Sequence, residues 1–410
     1  MTTPNSTATA AAILKSIYSA FPHIASLVYS ENPTLALMTK DEEGGGDLVK
    51  VPFKYANGAG TAQDFASAVT GASAIGVGNW AVVGKTVHTV AQLALDLVAQ
   101  SETNEMAFTQ AAKMIVDGKF EEHANTLGKI LWGSGTGTIG KMSSISGSGL
   151  IQLTNIEDVT NFEVDMTLQS TDTDGGTPLA ALGYVKSIDR SLGQVQMASA
   201  GIGGAAALPS AWATSSPYLV VKGTLNLYAP GIQGFLPASA PTAGVTFYGF
   251  DRAIDTDRCA GLRFDASGYN MEEALIDGTA RLGVAGGKPD IIAMNPTDLG
   301  RLAKSMSSKV WVEMKGPANI GFQALQVMTT KGPVPCLGDR SCPVHHAFPL
   351  ELKGWKLLSV GKQPHIEGFD GLDWLRIAGS DAAEIRLNTR LFAPVTQEPG
   401  HNMHITNFGQ

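Results

Sequence analysis

The chain has 410 residues, 29 of them basic and 37 acidic, for a formal net charge of −8. A hydrophobic fraction of 44% excludes a disordered chain, and the length is enough for two or three packed regions. The acidic balance and the lack of any basic run exclude tight nucleic-acid binding, while three cysteines are too few for a disulfide-built secreted domain.

Met1-Thr2-Thr3-Pro4 opens the chain without a basic leader ahead of an apolar stretch, so no signal peptide is expected. No apolar run reaches the roughly 18 residues that cross a bilayer, so no membrane partner is expected. Residues 8 to 29 carry Ile13, Leu14, Ile17, Tyr18, Phe21, Ile24 and Leu27 at three- and four-residue spacing. That spacing predicts an amphipathic helix, interrupted at Pro22 and ended by Asn32-Pro33. The segment is too short for its own core and reads as an arm.

Beyond Gly44-Gly45-Gly46, the residues Val49, Val51, Phe53 and Tyr55 alternate with Lys50, Pro52 and Lys54, and a second alternating run covers Thr86 to Leu93. Residues 56 to 79 between them are rich in Ala, Gly, Ser and Thr. Two strand-like arms around a small-residue tip predict a long β-hairpin, each arm presenting one apolar face. A two-stranded hairpin is marginal alone and needs a surface to cover. That surface is expected on a neighbouring subunit, with Val51, Phe53, Tyr55 and Trp80 as contact candidates.

The longest helical pattern runs from Ser101 to Leu131, with Met106, Ala111, Met114, Ile115, Leu127, Ile130 and Leu131 on one side. Ser101 is placed to cap its start, and the glycines of 133 to 137 end it. Between 177 and 237, strand-like Gly183 to Ile188, Gln194 to Ala198 and Tyr218 to Gly223 alternate with Gly, Ala and Pro turns, predicting a small all-β insertion. Residues 241 to 350 mix helices at Met271 to Leu282 and Pro296 to Met306 with strands such as Asp290 to Met294. The tail, 351 to 408, is strand-like at Trp355 to Val360 and Glu384 to Leu387. The fold class is α+β.

The chemical motifs are weak. Gly135-x-Gly137-x-x-Gly140 spells a dinucleotide fingerprint, but a helix precedes it and a β-like stretch follows, the reverse of what pyrophosphate binding requires. Gly84-Lys85-Thr86 lacks the first glycine of a phosphate loop at the right distance and leads into a strand. Cys336, Cys342, His345 and His346 form a Cys-x5-Cys-x2-His-His cluster whose first spacing is loose for zinc. Free thiols in a surface loop are favoured there over a disulfide or a metal. Asp255 and Asp257, with Arg252 and Arg258 nearby, read as a solvated loop or a salt-bridged contact. These residues give no catalytic centre, no metal site and no cofactor. Charged residues make up only 16%, against about 25% ordinarily, which suits a subunit that buries surface against neighbours.

The order of arm, hairpin, long helix ending in glycines, β insertion, mixed region and strand-rich tail resembles the major capsid proteins of tailed phages, the Hong Kong 97-like fold. Leu131-Trp132-Gly133-Ser134-Gly135-Thr136-Gly137 is similar to the end of that family's spine helix. Gly287-Lys288-Pro289-Asp290-Ile291-Ile292-Ala293-Met294-Asn295-Pro296-Thr297-Asp298-Leu299 is similar to its strand-then-helix passage. Gly183 to Pro237, with Ser210-Ala211-Trp212 and Gly231 to Pro237, resembles a β insertion of one branch. The resemblance covers nearly the whole chain. It implies an N-terminal arm at 1–46, an extended loop at 47–94 and a peripheral domain from 95–176 and 351–410. It further implies an insertion domain at 177–240 and an axial domain at 241–350.

The implied function is that of a non-enzymatic subunit, assembling with itself into hexamers and pentamers of an icosahedral shell around double-stranded DNA. That DNA would be held without sequence-specific binding. The implied location is the virion, after assembly in the host cytoplasm. The implied partners are a separate scaffolding protein, since no long charged helix precedes the arm, with a portal and a cement protein. An encapsulin-like nanocompartment shell is the rival within the fold, and a soluble enzyme with a deep polar pocket the rival outside it.

Overall fold

The computed structural model describes residues 32–42, 44, 48–94, 105–146, 148–201, 203–209, 212, 218–306, 310–315, 321–361, 363–366, 375–376 and 382–410. The helix expected over 8–29 and the Ser101 cap lie outside these residues.

A helix from Glu105 to Trp132 lies against two strands, Lys85–Ala94 and Ala382–Thr396. Its buried residues Phe120, Ala124, Leu127 and Leu131 recur at four, three and four positions, the stripe that faces a core. Met114, expected on that stripe, is 75% exposed. His123 sits within the stripe, fully buried, because both ring nitrogens find hydroxyls: Nδ1 lies 2.9 Å from Thr89 Oγ1 and Nε2 2.7 Å from Thr389 Oγ1. One imidazole thus joins the helix to both strands beneath it. The chain enters across the same helix. Asn32 donates from Nδ2 to the Ala124 carbonyl at 2.9 Å, a crossing so close that a Cβ on Gly128 would collide with the Asn32 and Ser341 side chains. The short helix Pro33–Leu37 that follows is buried throughout.

Six strands form the sheet under the long helix. Thr39–Asp41 runs parallel to Trp355–Leu358, which pairs with the 15-residue strand Ala382–Thr396. That strand also takes His365–Ile366, Leu375–Arg376 and Lys85–Ala94. The last pairing corrects the expected hairpin. Residues 85–94 pair with the C-terminal strand from Ala94↔Ala382 to Lys85↔Phe392, and the strand that returns against Val49–Ala56 is Gly76–Val82. The alternation of Gly78, Trp80 and Val82 marked that strand, but it lay at the edge of a stretch read as small-residue tip.

A closed barrel of six strands follows the long helix, in the order Tyr218–Val221, Thr138–Ile145, Leu150–Leu153, Gln194–Ala198, Gly183–Asp189 and Thr167–Thr171. Met142, Ile151, Leu168, Val185, Val195, Met197, Trp212 and Leu219 fill its interior. The all-β unit therefore begins near Thr138 and not at 177: strands on either side of that boundary share one ladder, as in Leu219↔Gly140 and Leu219↔Ser170. Closure removes both sheet edges, so the whole unit stands on one core.

The remaining seven-stranded sheet runs Leu262–Asp265, Met403–Thr406, Ala347–Leu350, Ile291–Met294, Gly332–Gly338, Gly321–Thr329 and Val310–Lys315. Helices Met271–Val284 and Pro296–Ser305, close to the expected bounds of 271–282 and 296–306, cover it. Asn295 caps the second of these by accepting from the Thr297 amide at 3.0 Å. The tail expected to form one unit over 351–410 is divided. Its strand Met403–Thr406 pairs in register with Leu262–Asp265, while residues 382–396 belong to the other sheet.

Two buried histidines, His123 and His404, and the half-buried His346 carry a pH signature. Burial holds His123 at about 4, His346 at about 4 and His404 at about 3, against an ordinary value of 6.5, with neighbouring histidines adding to each shift. The unfolded chain takes up these protons near pH 6.5 and the folded chain only near 3 to 4. The stability they support is therefore complete above pH 6.5 and falls as pH drops from there toward 4. Asp158, raised by burial to about 6, works in the opposite direction, as do the buried Asp298 and Asp339. Comparing variants isolates the histidine contribution. Urea unfolding of His123→Asn at pH 7 and pH 4.5 is expected to lose roughly 2 kcal/mol less on acidification than the parent. Equal losses in the two proteins would place the acid sensitivity elsewhere.

Candidate assembly interface

The hairpin of Val49–Ala56 and Gly76–Val82 has two chemically different ends. In its base, Val51 opposes Trp80 and Phe53 opposes Gly78. The Phe53 ring stacks on Trp80 at 3.9 Å between centroids and an interplanar angle of 6°. A Cβ on Gly78 would come within 2.7 Å of the Phe53 ring, so only glycine lets that ring lie across the partner strand. Phe235, Phe247 and Phe250 meet the Trp80 ring edge-on at 5.8, 5.8 and 5.9 Å. The indole N–H donates to the Thr396 carbonyl at 3.1 Å.

Val51, Phe53 and Trp80 were contact candidates for a neighbouring subunit, and this arrangement corrects that expectation. All three are buried within their own chain. The surface they cover is the aromatic segment 235–250, which sequence spacing alone does not bring to the hairpin. Tyr55 is half-buried, 5.5 Å from the Phe250 ring.

The tip is the reverse. Asp64 caps the helix Phe65–Thr70 by accepting from the Ser67 amide at 2.9 Å, and Ala59 and Ser73 close the loop through two hydrogen bonds of 2.9 and 2.7 Å. No residue of this helix is buried. Phe65 is 86% exposed, Val69 stands one turn away on the same face, and Ile75 and Val77, where the chain returns into the second strand, are exposed as well. An ordered apolar tip carried on a rigid base is a surface shaped for a partner. The missed signal was the pair Phe65 and Val69, four residues apart within a segment otherwise composed of small residues.

The remaining motif residues serve the fold. Cys336 lies in the core of the seven-stranded sheet and Cys342 in the core beneath the long helix, both buried and unpaired, which corrects the expected surface loop. Burial raises both thiols well above the usual range. His345 faces the Phe408 carbonyl at 3.2 Å, and its amide donates to Asp298 at 2.7 Å. His346 Nδ1 instead meets His404 Nε2 at 2.8 Å. Asp257 pairs with Arg263 at 2.7 Å, and Asp255 caps its own turn by accepting from the Asp257 and Arg258 amides. Gly135 and Gly137 turn the chain from the long helix into the barrel at φ of 95° and 82°.

A cleft of about 890 Å³ lies between the long helix, this glycine turn and the barrel. On its wall, burial lowers the Lys129 amine to about 8, and its Nζ donates to the Asn161 carbonyl at 3.3 Å.

No protein-family model matches the chain, and no curated protein does. Among solved structures, the capsid asymmetric unit of cyanophage A-1(L) aligns over 93% of both chains at TM-score 0.50 and 11% identity. The capsid of Myoviridae phage XM1 aligns over 91% of this chain and 90% of its own at 0.43 and 9%. The holo-SrpI encapsulin complex of Synechococcus elongatus covers 93% and 90% at 0.41 and 8%. At this identity the first alignment establishes the fold: the chain has the mixed α/β fold of a phage capsid subunit.

The buried base makes a specific demand on stability. Trp80→Ala removes an indole packed on four aromatic rings and is expected to lower unfolding free energy by about 3–5 kcal/mol, measured by denaturant titration. Phe53→Asp places a charge in the same cluster and is expected to unfold the chain itself, which circular dichroism reads directly.

Proposed function

We propose that the chain is the major capsid protein of a tailed double-stranded DNA phage, a non-enzymatic subunit that assembles with itself into the hexamers and pentamers of an icosahedral shell. The observation that carries this reading is the hairpin, with its buried aromatic base and its exposed apolar tip, on a fold similar over 93% of the chain to a phage capsid subunit.

In Hong Kong 97-like terms, residues 1–46 are the arm and the hairpin of 48–82 the extended loop. The long helix and the sheet under it, to which the arm adds the strand Thr39–Asp41, form the peripheral domain, the barrel is the insertion, and the seven-stranded sheet with its two helices is the axial domain. The low charge content supports the same reading, since extensive contact between subunits replaces the charge that keeps monomers apart. Packaged DNA is enclosed without sequence-specific contacts, because the acidic chain offers no cluster of basic residues for counterion release. A separate scaffolding protein, a portal and a cement protein complete the assembly. The subunit works in the virion after assembly in the host cytoplasm.

The tip carries the contact between subunits. Covering Phe65 and Val69 on a neighbour contributes roughly 1.5–3 kcal/mol each before ordering costs, repeated at every copy of the interface. Phe65→Asp combined with Val69→Asp is expected to leave the subunit folded by circular dichroism and with unchanged denaturant stability. Electron microscopy and size-exclusion chromatography, with the scaffolding protein supplied where needed, are expected to show particles for the parent and only small oligomers for the variant. Normal particles from the double variant would remove the tip from the interface. A parent chain that stays a monomer under all assembly conditions would overturn the capsid reading itself.

A further inference from the structure

Glu351, Glu398 and His401 are the acidic and imidazole side chains that converge on one point among the described residues, their ligand atoms all within 4.8 Å of one another. His401 Nδ1 lies 3.0 Å from Glu398 Oε2 and 3.3 Å from Glu351 Oε2. Despite those distances the nitrogen is buried and makes no hydrogen bond. The nitrogen is in ion-pair range of both carboxylates but aligned for a hydrogen bond with neither, so the three ligand atoms converge on a common point.

The frame behind these side chains is fixed. Asn402, fully buried, accepts from the Glu351 amide at 2.9 Å and from the Trp355 indole at 3.0 Å, and donates to the Glu398 carbonyl at 2.8 Å. One amide side chain therefore pins the backbones of both glutamates. The Lys288 amide donates to Glu351 Oε2 at 3.1 Å and orients that carboxylate. Glu398 and His401 face a cleft of about 710 Å³ that opens between the hairpin base at 52–57 and the loop of Asp255 to Arg258. The nearby Arg258 is engaged by Asp255 and by the Tyr55 carbonyl.

We propose that Glu351, Glu398 and His401 bind a divalent transition-metal ion. An imidazole nitrogen with two carboxylate oxygens suits zinc or manganese, whereas calcium and magnesium prefer all-oxygen shells. The three ligands come from the loop after Ala347–Leu350 and the turn after Ala382–Thr396, strands of different sheets. The ion braces the junction of those sheets directly beneath the hairpin, with its remaining positions open to water in the cleft.

The test uses the full chain, stripped with a chelator and dialysed. Isothermal titration with zinc chloride and with manganese chloride is expected to show one ion per chain for at least one of the two metals, and that metal is expected to raise the thermal unfolding midpoint. Glu398→Gln, at a half-exposed position, and His401→Gln are each expected to weaken that binding by at least about tenfold. In chelator, Glu398→Gln is expected to melt as the parent does, which separates loss of the ion from loss of the fold. Absence of stoichiometric binding of either metal by the parent, or affinity unchanged in both variants, would overturn the proposal and leave the three side chains as an ion-pair cluster.

Discussion

Trp80 occupies the point where four otherwise separate parts of the chain meet. Its ring carries Phe53 from the opposite hairpin arm, receives Phe235 from the chain leaving the barrel, and touches Phe247 and Phe250 from the turn that leads toward the seven-stranded sheet. Its N–H reaches Thr396 at the end of the longest strand. Stacking and edge-on contacts satisfy the ring quadrupoles, while the single polar atom finds a carbonyl, so the large side chain is buried without an unpaired donor. A hairpin anchored in this way has a defined direction, and the direction fixes where its tip projects.

Polar groups supply the remaining specificity. His123, Asp339 and Asn402 are each buried, and each ties segments far apart in sequence. His123 joins the long helix to two strands, Asp339 accepts from the amides of Thr34 and Ser341, and Asn402 holds the turn at 398–401 against Glu351 and Trp355. Buried donors and acceptors of this kind tolerate one geometry only, because an unmet partner costs about 1–3 kcal/mol. They set register between sheets where apolar packing alone would permit sliding. The same burial makes His123 and the His346–His404 pair neutral in the folded chain, so the devices that fix the architecture also make it sensitive to acid.

The division of apolar residues between core and surface follows from this arrangement. Along the hairpin, residues of one hydrophobic class have opposite fates: Val51 and Val82 are buried, and Val69 and Val77 are exposed. Val77 shares a strand with Trp80 and Val82 but points to its opposite, solvent-facing side, whereas Val69 lies on the exposed tip helix. The aromatic segment 235–250 covers only one face of the base, and the tip helix has no residue buried.

Local pattern determined much of this protein. Spacing of three and four residues gave the helices at 271–284 and 296–305 and the C-terminal half of the long helix, since a helical face repeats within a few residues. Period-two alternation gave the strands at 49–56, 183–189, 194–198 and 355–358 for the same reason. The order of these elements was enough to indicate a capsid-like fold. Pairing was decided only by the tertiary structure. Whether Lys85–Ala94 turned back on Val49–Ala56 or crossed to Ala382–Thr396, and whether Thr138–Ile145 belonged with the helix before it or the barrel after it, depends on partners tens to hundreds of residues away. Phe53 and Trp80 carried the right chemistry in the sequence, an apolar face in need of cover, but not the identity of the cover. Glu351, Glu398 and His401 carried no signal at all, because their convergence exists only after strands from two sheets and one buried asparagine have brought their backbones together.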